Sequence, residues 1–419
     1  QCCTYYLNPG IIKKSMNDNN LQTGNHQLVR SINEVIVLNF IRSHKLISGA
    51  ELAKKTGMRP STISSLVKQL KAKGLIAISG KGQSTTRGGK RPTLWRLKYN
   101  SRFVIGVDLE LGESTAVCMN LRGDIIERLS ISFPRDLNIE QLNEKVGDLI
   151  ENLLINSKIK SEQILGLGFA VPGIIDTTEN KIIMSSLVSE WGYCFSEYYK
   201  NRFSFPCFIE NNANAAAISS KWAFGSENLN HFLTILIELS PIVGGLGVGI
   251  VLNNEVYYGT SFSSGELDIH LPTITDVFSQ MRYKLTSDSY FSNFKNDVTK
   301  IQLNDIIFAG KNNNEIALHY YNRLGTIIGN SISNAVAFFN PGHIVIAGGI
   351  SEAGENFIQA IKSSISPNLL DVTQRVISYK LHPFGSDAVA HGAGACLLDD
   401  FFRMPVTMQK SRLDQLSIS

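Results

Sequence analysis

The side chains with the clearest chemistry in this sequence are cations and short hydroxyls gathered in its first hundred residues. Lys81, Arg87, Lys90 and Arg91 stand among glycines between Gly80 and Arg91. Such groups on glycine-rich backbone suit phosphate contact, which gives salt-dependent and largely sequence-independent affinity for nucleic acid; Arg87 to Arg91 could also enter a minor groove. Just upstream, Arg59, Ser61, Thr62, Ser64, Ser65 and Lys68 share one short stretch. Small hydroxyls at a helix N-terminus fit phosphate and base-edge contacts in a major groove. A different chemistry is open to Gly244 to Gly249. Those glycines could cradle a phosphate through their amides or let a helix lie close against a strand. The six cysteines (Cys2, Cys3, Cys118, Cys194, Cys207 and Cys396) are scattered. None has zinc-ligand spacing, so no metal is expected and a reduced, cytoplasmic protein is.

Elements must hold these groups in place. Ile32, Val35, Ile36, Phe40 and Ile41 recur at helical spacing, predicting a helix that ends near Ser43-His44. Ser48-Gly49-Ala50-Glu51 reads as a capping box starting a second, short helix, and Gly57 as its left-handed terminator. Arg59-Pro60 opens a third, whose buried stripe is Ile63, Leu66, Val67 and Leu70. Leu75 to Ile78 and Thr93 to Leu97 read as strands flanking the cationic segment, which makes that segment a wing. The charge distribution agrees. Residues 1–100 hold 17 Lys and Arg against 3 Asp and Glu, whereas the remainder holds 23 against 33. A basic nucleic-acid module joined to an acidic domain is expected. No apolar run is long enough to cross a bilayer, and residues 1–28 read as an arm without an assigned role.

From Phe103 the texture changes. Strands are expected at Phe103 to Asp108, Ser114 to Leu121 and Ile125 to Phe133, followed by a helix from Ile139 to Ile155 and a strand from Ile164 to Ala170. A second unit begins at Phe232, with a hairpin turn at Asn253-Asn254, a long helix from about Glu315 to Phe339, and a strand from His343 to Ala347. Two similar α/β lobes imply a cleft between them.

Four motifs carry a resemblance to a known family. They are Gly166-Leu-Gly-Phe-Ala-Val-Pro-Gly-Ile-Ile-Asp176, Ile209-Glu-Asn-Asn-Ala-Asn-Ala-Ala-Ala217, the stretch from Gly245 to Gly259 and Ser264-Gly265-Glu266, and Asn340-Pro-Gly-His-Ile-Val-Ile-Ala-Gly-Gly349. In this order and spacing the chain resembles the ROK family of repressors, open reading frames and sugar kinases, in its xylose-repressor and N-acetylglucosamine-repressor branch. The resemblance implies an N-terminal winged helix-turn-helix at 29–100 and a two-lobed, actin-like (ribonuclease-H-like) ATPase fold. Its α/β lobes would span 101–225 and 226–405, with a tail at 406–419.

It also implies a function. Asn211, Asn212 and Glu266 match positions that contact the sugar, Gly173 lies on the turn beside it, and Trp191 falls in a loop near the cleft. Glu210 and Asn214 are expected to brace the motif, and His270 to touch the ligand at most marginally. The family's kinases place a catalytic aspartate where this chain has Asn212. Their Asp-x-Gly-Gly-Thr phosphate loop is here Asp108-Leu-Glu-Leu-Gly-Glu113, whose glutamates would repel an anion. The zinc site also lacks its cysteines. The expected protein is therefore a DNA-binding, sugar-responsive regulator, a homodimer or homotetramer by family logic, with a double-stranded operator and a mono- or disaccharide (or derivative) as partners. No catalytic residue, ATP or metal is expected. The alternatives are a sugar kinase with an appended DNA module and a DNA-binding protein that ignores ligands.

Overall fold

The computed structural model describes residues 26–403 apart from 83–90, 111, 188–194, 228, 268, 366 and 368. In the N-terminal unit, α1 (His26–Ser43) buries Val37, Leu38 and Ile41. A two-residue strand, β1 (Ile47–Ser48), leads directly into α2 (Gly49–Thr56). The capping box forms as the spacing predicts: Ser48 Oγ accepts from the Glu51 amide at 3.2 Å, and Glu51 Oε2 accepts from the Ser48 amide at 2.8 Å. Gly57 ends α2 with φ at 71°. The predicted stripe of Ile63, Leu66, Val67 and Leu70 is the buried face of α3 (Pro60–Ala72). β2 (Ile76–Lys81) and β3 (Thr93–Leu97) pair antiparallel, and β1 joins the other edge of β3, setting Ile47 opposite Trp95. β1 carries no periodic signal, because two residues are too few to display one.

The C-terminal unit runs from Lys98 to Phe401. Its first lobe comprises β4 (Phe103–Glu110), β5 (Glu113–Asn120), β6 (Ile125–Ser132), α4 (Ile139–Ser157), β7 (Ile164–Val171), the hairpin β8 (Ile174–Asp176) and β9 (Lys181–Met184), α5 (Phe195–Phe203) and β10 (Cys207–Asn211). The five-stranded sheet has the order β10-β7-β4-β5-β6, with β7 parallel to both β4 and β10 and the β4-β5-β6 meander antiparallel. α6 (Asn212–Ala223) follows without a linker.

The second lobe repeats that sheet. β11 (Phe232–Leu239), β12 (Gly244–Leu252) and β13 (Glu255–Val256) form a meander; Asn253 and Asn254 turn its tip at φ of 53° and 63°, the conformation an Asn-Asn hairpin favours. After α7 (Ile274–Gln280), α8 (Arg282–Leu285), α9 (Leu303–Lys311) and α10 (Glu315–Phe339), β14 (His343–Ala347) returns parallel to β11. α11 (Glu355–Ile365) and α12 (Asp371–Val376) then lead to β15 (Ser378–Leu381), parallel to β14. The order β13-β12-β11-β14-β15 matches the first lobe strand for strand. α13 (Ala388–Phe402) follows β15 as α6 follows β10.

The two equivalent helices lie between the lobes, and both are rich in small residues. Ala213, Ala215 and Ala216 of α6 and Ala388, Val389 and Ala393 of α13 share one core cluster with Ala170, Leu236 and Ala347 of the sheets. α6 lies on β12: a side chain at Gly249 would meet Ala213 O at 2.5 Å and Ala217 Cβ at 2.6 Å. α13 lies on the first sheet, where a side chain at Gly106 or Gly168 would strike the backbone of Ala390 or Ala393. His391 of α13 hydrogen-bonds Ser219 of α6 (Nδ1 to Oγ, 2.8 Å) and the Gly123 carbonyl (Nε2, 3.0 Å), so one imidazole ties both helices to the β5-β6 turn. Burial pushes its pKa down to about 4.

Candidate functional site

In the N-terminal unit, α3 turns Arg59, Ser61, Ser64, Ser65 and Lys68 to solvent and leaves Thr62 partly exposed. The hydroxyls of Ser61, Thr62, Ser64 and Ser65 engage no protein partner among the described residues. Arg59 caps α3 by backbone geometry alone, without a side-chain bond to the first-turn amides. A helix start with unsatisfied N–H groups is a site for an anion such as phosphate. Lys81 and Arg91 are exposed at the two ends of the wing. Arg87 and Lys90 lie outside the described residues. Gln69, on the same helix, is instead taken by Arg30, whose Nε donates to its Oε1 at 3.3 Å.

In the C-terminal unit the second candidate site assembles around the start of α6. Asn211 ends β10 and caps the helix, its Oδ1 accepting from the Asn214 amide at 3.0 Å. Its Nδ2 donates to the Gly173 carbonyl at 2.8 Å and to Glu266 Oε1 at 3.3 Å. Gly173 sits at φ 125°, where a side chain would strike the Met184 carbonyl; Gly265 sits at φ 85°, where one would strike that of Val248. Only glycine lets these two turns approach so closely. Glu210 is fully buried and braces the motif as expected: it accepts from the Asn211 amide at 2.9 Å, from Asn214 Nδ2 at 3.4 Å and from Tyr258 Oη at 2.8 Å. The tyrosine thereby fastens the loop that carries Glu266 to the strand that carries Asn211. Partial burial holds the Glu266 carboxyl above its ordinary range.

Asn212 points to the other side of the cleft. Its Oδ1 accepts from the Ala213 amide at 2.9 Å and its Nδ2 donates to Glu238 Oε1 at 2.9 Å. Glu238 lies near the end of β11, and Glu110, at the end of β4 on the other lobe, acts on its charge. Burial, then the Glu110 charge, raise the Glu238 pKa well above its ordinary value; the bond from Asn212 opposes this. Asp108 is also raised well above its ordinary value, by burial first and then by Glu110, Glu113 and Asp387.

The structure therefore gathers Gly173, Asn211 and Glu266 at one place, with the Asn212 side chain bound instead to Glu238. His270 is exposed on the loop that leads to α7, and Trp191 lies outside the described residues. Sequence reasoning missed Glu238 and Tyr258. The available signal was a lone carboxylate closing a buried apolar strand, Phe232 to Leu239. The glycine-rich β12 resolves toward packing. Gly247 and Gly249 face Ala213 and Ala217 of α6, and Gly244 faces the backbone of Leu271 and Pro272.

A winged helix-turn-helix followed by a duplicated, two-lobed sugar-kinase-type fold with a polar cleft defines the class of protein. The sequence pattern of the ROK family matches residues 104–275 and 284–399, and that of the MarR family matches residues 30–82. The chain belongs to the ROK family. It is similar to the xylose repressor of Bacillus subtilis, 26% identical over 401 residues, covering 91% of this chain and 98% of the relative. It is also similar to the DNA-binding transcriptional dual regulator NagC of Escherichia coli, 24% identical over 369 residues, covering 83% and 88%. Among solved structures, a ROK family transcriptional regulator homologous to the Escherichia coli MLC protein superposes with a TM-score of 0.70 at 18% identity, over 93% of this chain and 98% of that one. A ROK family glucokinase from Streptomyces griseus superposes at 0.60 and 17%, over 70% of this chain and 98% of that one. Both share the fold. Among the described residues no helix is long and apolar enough to cross a membrane.

Proposed function

We propose that the protein is a sugar-responsive DNA-binding transcription regulator, acting as a repressor. In this reading its kinase-like domain binds a mono- or disaccharide, or a derivative, without phosphorylating it. The observation that carries the reading is Asn212. It stands where the family resemblance puts the catalytic aspartate of a kinase, and its amide is fixed against Glu238. An amide cannot take the proton of an attacking hydroxyl, but it can hydrogen-bond one. The glycine-rich strand that could have held ATP phosphates is occupied by α6. Neither ATP nor zinc has a role here.

The exposed face of α3 and the cations Lys81, Arg87, Lys90 and Arg91 contact the operator, α3 in the major groove and the wing along the backbone. The protein works in the cytoplasm as a homodimer or homotetramer, so that two modules meet two half-sites. Sugar binding at Asn211, Asn212 and Glu266 favours one arrangement of the lobes, and operator affinity changes through that linkage.

The test is binding of the full chain to duplex DNA from upstream of its own gene, followed by fluorescence anisotropy, with a sugar panel added. A sugar that releases the DNA supports the reading. ATP consumption on addition of the same sugar sinks it. Glu266→Ala is expected to keep operator affinity and to lose the response to sugar; release unchanged from the parent protein would remove Glu266 from the site.

A further inference from the structure

Among the described residues the chain passes between its two units twice. One passage is the step from Leu97 to Lys98 after β3; the other falls inside α13, between Phe401 and Phe402. Phe402, the last residue of α13, therefore belongs to the N-terminal unit. There it is buried, its carbonyl accepts from Asn39 Nδ2 of α1 at 2.8 Å, and the Arg42 guanidinium lies over its ring at 4.2 Å. α1 is tied in turn to α3 and its C-cap, by Arg30 to Gln69 at 3.3 Å and by Glu34 to Lys73 at 2.6 Å. The DNA-binding unit is thus completed by the far end of the chain.

Asp399 precedes Phe402 by three residues on the same helix, and so neighbours it on the helix surface. The end of α6 grips it: Trp222 Nε1 donates to Asp399 Oδ1 at 2.8 Å, and Lys221 Nζ lies 3.3 Å from Oδ2. The Lys221 side chain is 13% exposed and that of Asp399 28%, so salt screens the pair only weakly. The opposite end of α6 begins at Asn211 and Asn212, on the sugar site. Between the two ends, Ala213 to Ser220 are all buried, and Ser219 meets His391 of α13. A helix of 12 residues is about 18 Å long. Closely packed around its whole circumference, it moves as a body, because such an interior does not absorb a displacement.

Resting on the sugar-binding reading above, we propose that the response to sugar leaves the cleft along α6, crosses to α13 at Asp399 and enters the DNA-binding unit at Phe402. A ligand held by Asn211 and Asn212 shifts α6 and with it Lys221 and Trp222. Asp399 follows, and Phe402 passes the shift to Asn39 and Arg42, and so through α1 to α3. Asp399 and Trp222 are positioning residues: they touch neither sugar nor operator, and they set how far occupancy of one site alters affinity at the other.

The experiment uses the full chain, duplex DNA from upstream of its own gene, and glucose, mannose, xylose, N-acetylglucosamine and trehalose as probes. Operator affinity is read by anisotropy with and without each sugar, and sugar affinity by calorimetry without DNA. A sugar that acts on the parent protein is expected to change its operator affinity by a factor of about 5–150. Asp399→Ala is expected to cut that factor by about 2- to 30-fold, while each affinity measured alone keeps its parent value. Phe402→Leu, at the other end of the link, is expected to cut it as well. Trp222→Phe removes only the indole donor; it too is expected to lower the factor, and it decides the matter should Asp399→Ala not fold. A factor unchanged beside a lowered Tm shows a clamp that only holds the fold, and overturns the inference. Sugar affinity lost together with the response also overturns it, because Asp399 would then belong to the sugar site itself. A response weakened by Asp399→Ala but untouched by Phe402→Leu overturns the entry at Phe402. In each of these cases the sugar-binding reading stands. No effect of any of the five sugars on the parent, with operator still bound, overturns that reading and this inference together.

Discussion

Gly249→Ala is the sharpest probe of why β12 is rich in glycine. The added methyl would sit 2.5 Å from Ala213 O and 2.6 Å from Ala217 Cβ, where ordinary contact begins near 3.4 Å. Relief requires α6 to move off the strand by roughly 1 Å, the difference between those separations. A neighbouring side chain cannot swing aside, because one of the two obstacles is backbone and the other is itself a methyl. Overpacking of this kind costs about 1–3 kcal/mol. For a unit of this size that corresponds to a fall in Tm of roughly 2–10 °C. The displaced end of α6 carries Asn211 and Asn212, so the variant should also lose affinity for its sugar while its operator affinity stays intact. Differential scanning calorimetry gives the first quantity and calorimetric titration the second. A Gly249→Ala protein as stable as its parent would refute the packing argument, because a glycine kept for the approach of a phosphate has no cause to lower the stability of the unliganded chain.

Three further outcomes are expected. Arg91→Ala should weaken operator binding about equally for all sequences and reduce the slope of log affinity against log salt by about 1, read from anisotropy titrations at several salt concentrations; an unchanged slope removes Arg91 from the phosphate contacts. Ser48→Ala removes the cap of α2 and should destabilise the N-terminal unit by about 1 kcal/mol, seen as earlier urea unfolding of that unit; an unshifted midpoint would show that the cap contributes nothing. Stability should decline as pH falls from 6.5 toward 4, because the unfolded chain protonates His391 at its ordinary value whereas burial delays protonation in the folded state to about 4. The unfolded state binds more protons across that window, so acid favours it, by up to about 3 kcal/mol for this residue. His391→Asn should lessen the decline, and an identical acid profile would place the titration elsewhere.

Local chemistry was legible wherever a short pattern has one structural solution. The capping box at Ser48, the stripe on α3, the Asn253-Asn254 turn and the span of α10 all follow from spacing within a few residues, and the structure places each where spacing put it. Gly244 to Gly249 was ambiguous for a physical reason. A phosphate cradle and a strand under a close helix make the same demand, absence of a side chain, and only the position of Ala213 and Ala217 separates them. The influence of Glu110 on Glu238 was illegible for another. The two sit on different lobes, far apart in sequence, and nothing near either residue announces the other. The role of Tyr258 was hidden likewise, since its partner Glu210 lies on another strand.

The exchange of α6 and α13 between the lobes bears on how the chain reaches this state. The helix that follows the first sheet lies on the second, and the helix that follows the second sheet lies on the first. A nascent chain that has completed β4 to β10 therefore has no cover for the inner surface at Gly106 and Gly168 until Ala390 and Ala393 leave the ribosome. Neither half can finish alone, and removal of α13 by proteolysis or early termination would strip a surface nearly three hundred residues upstream.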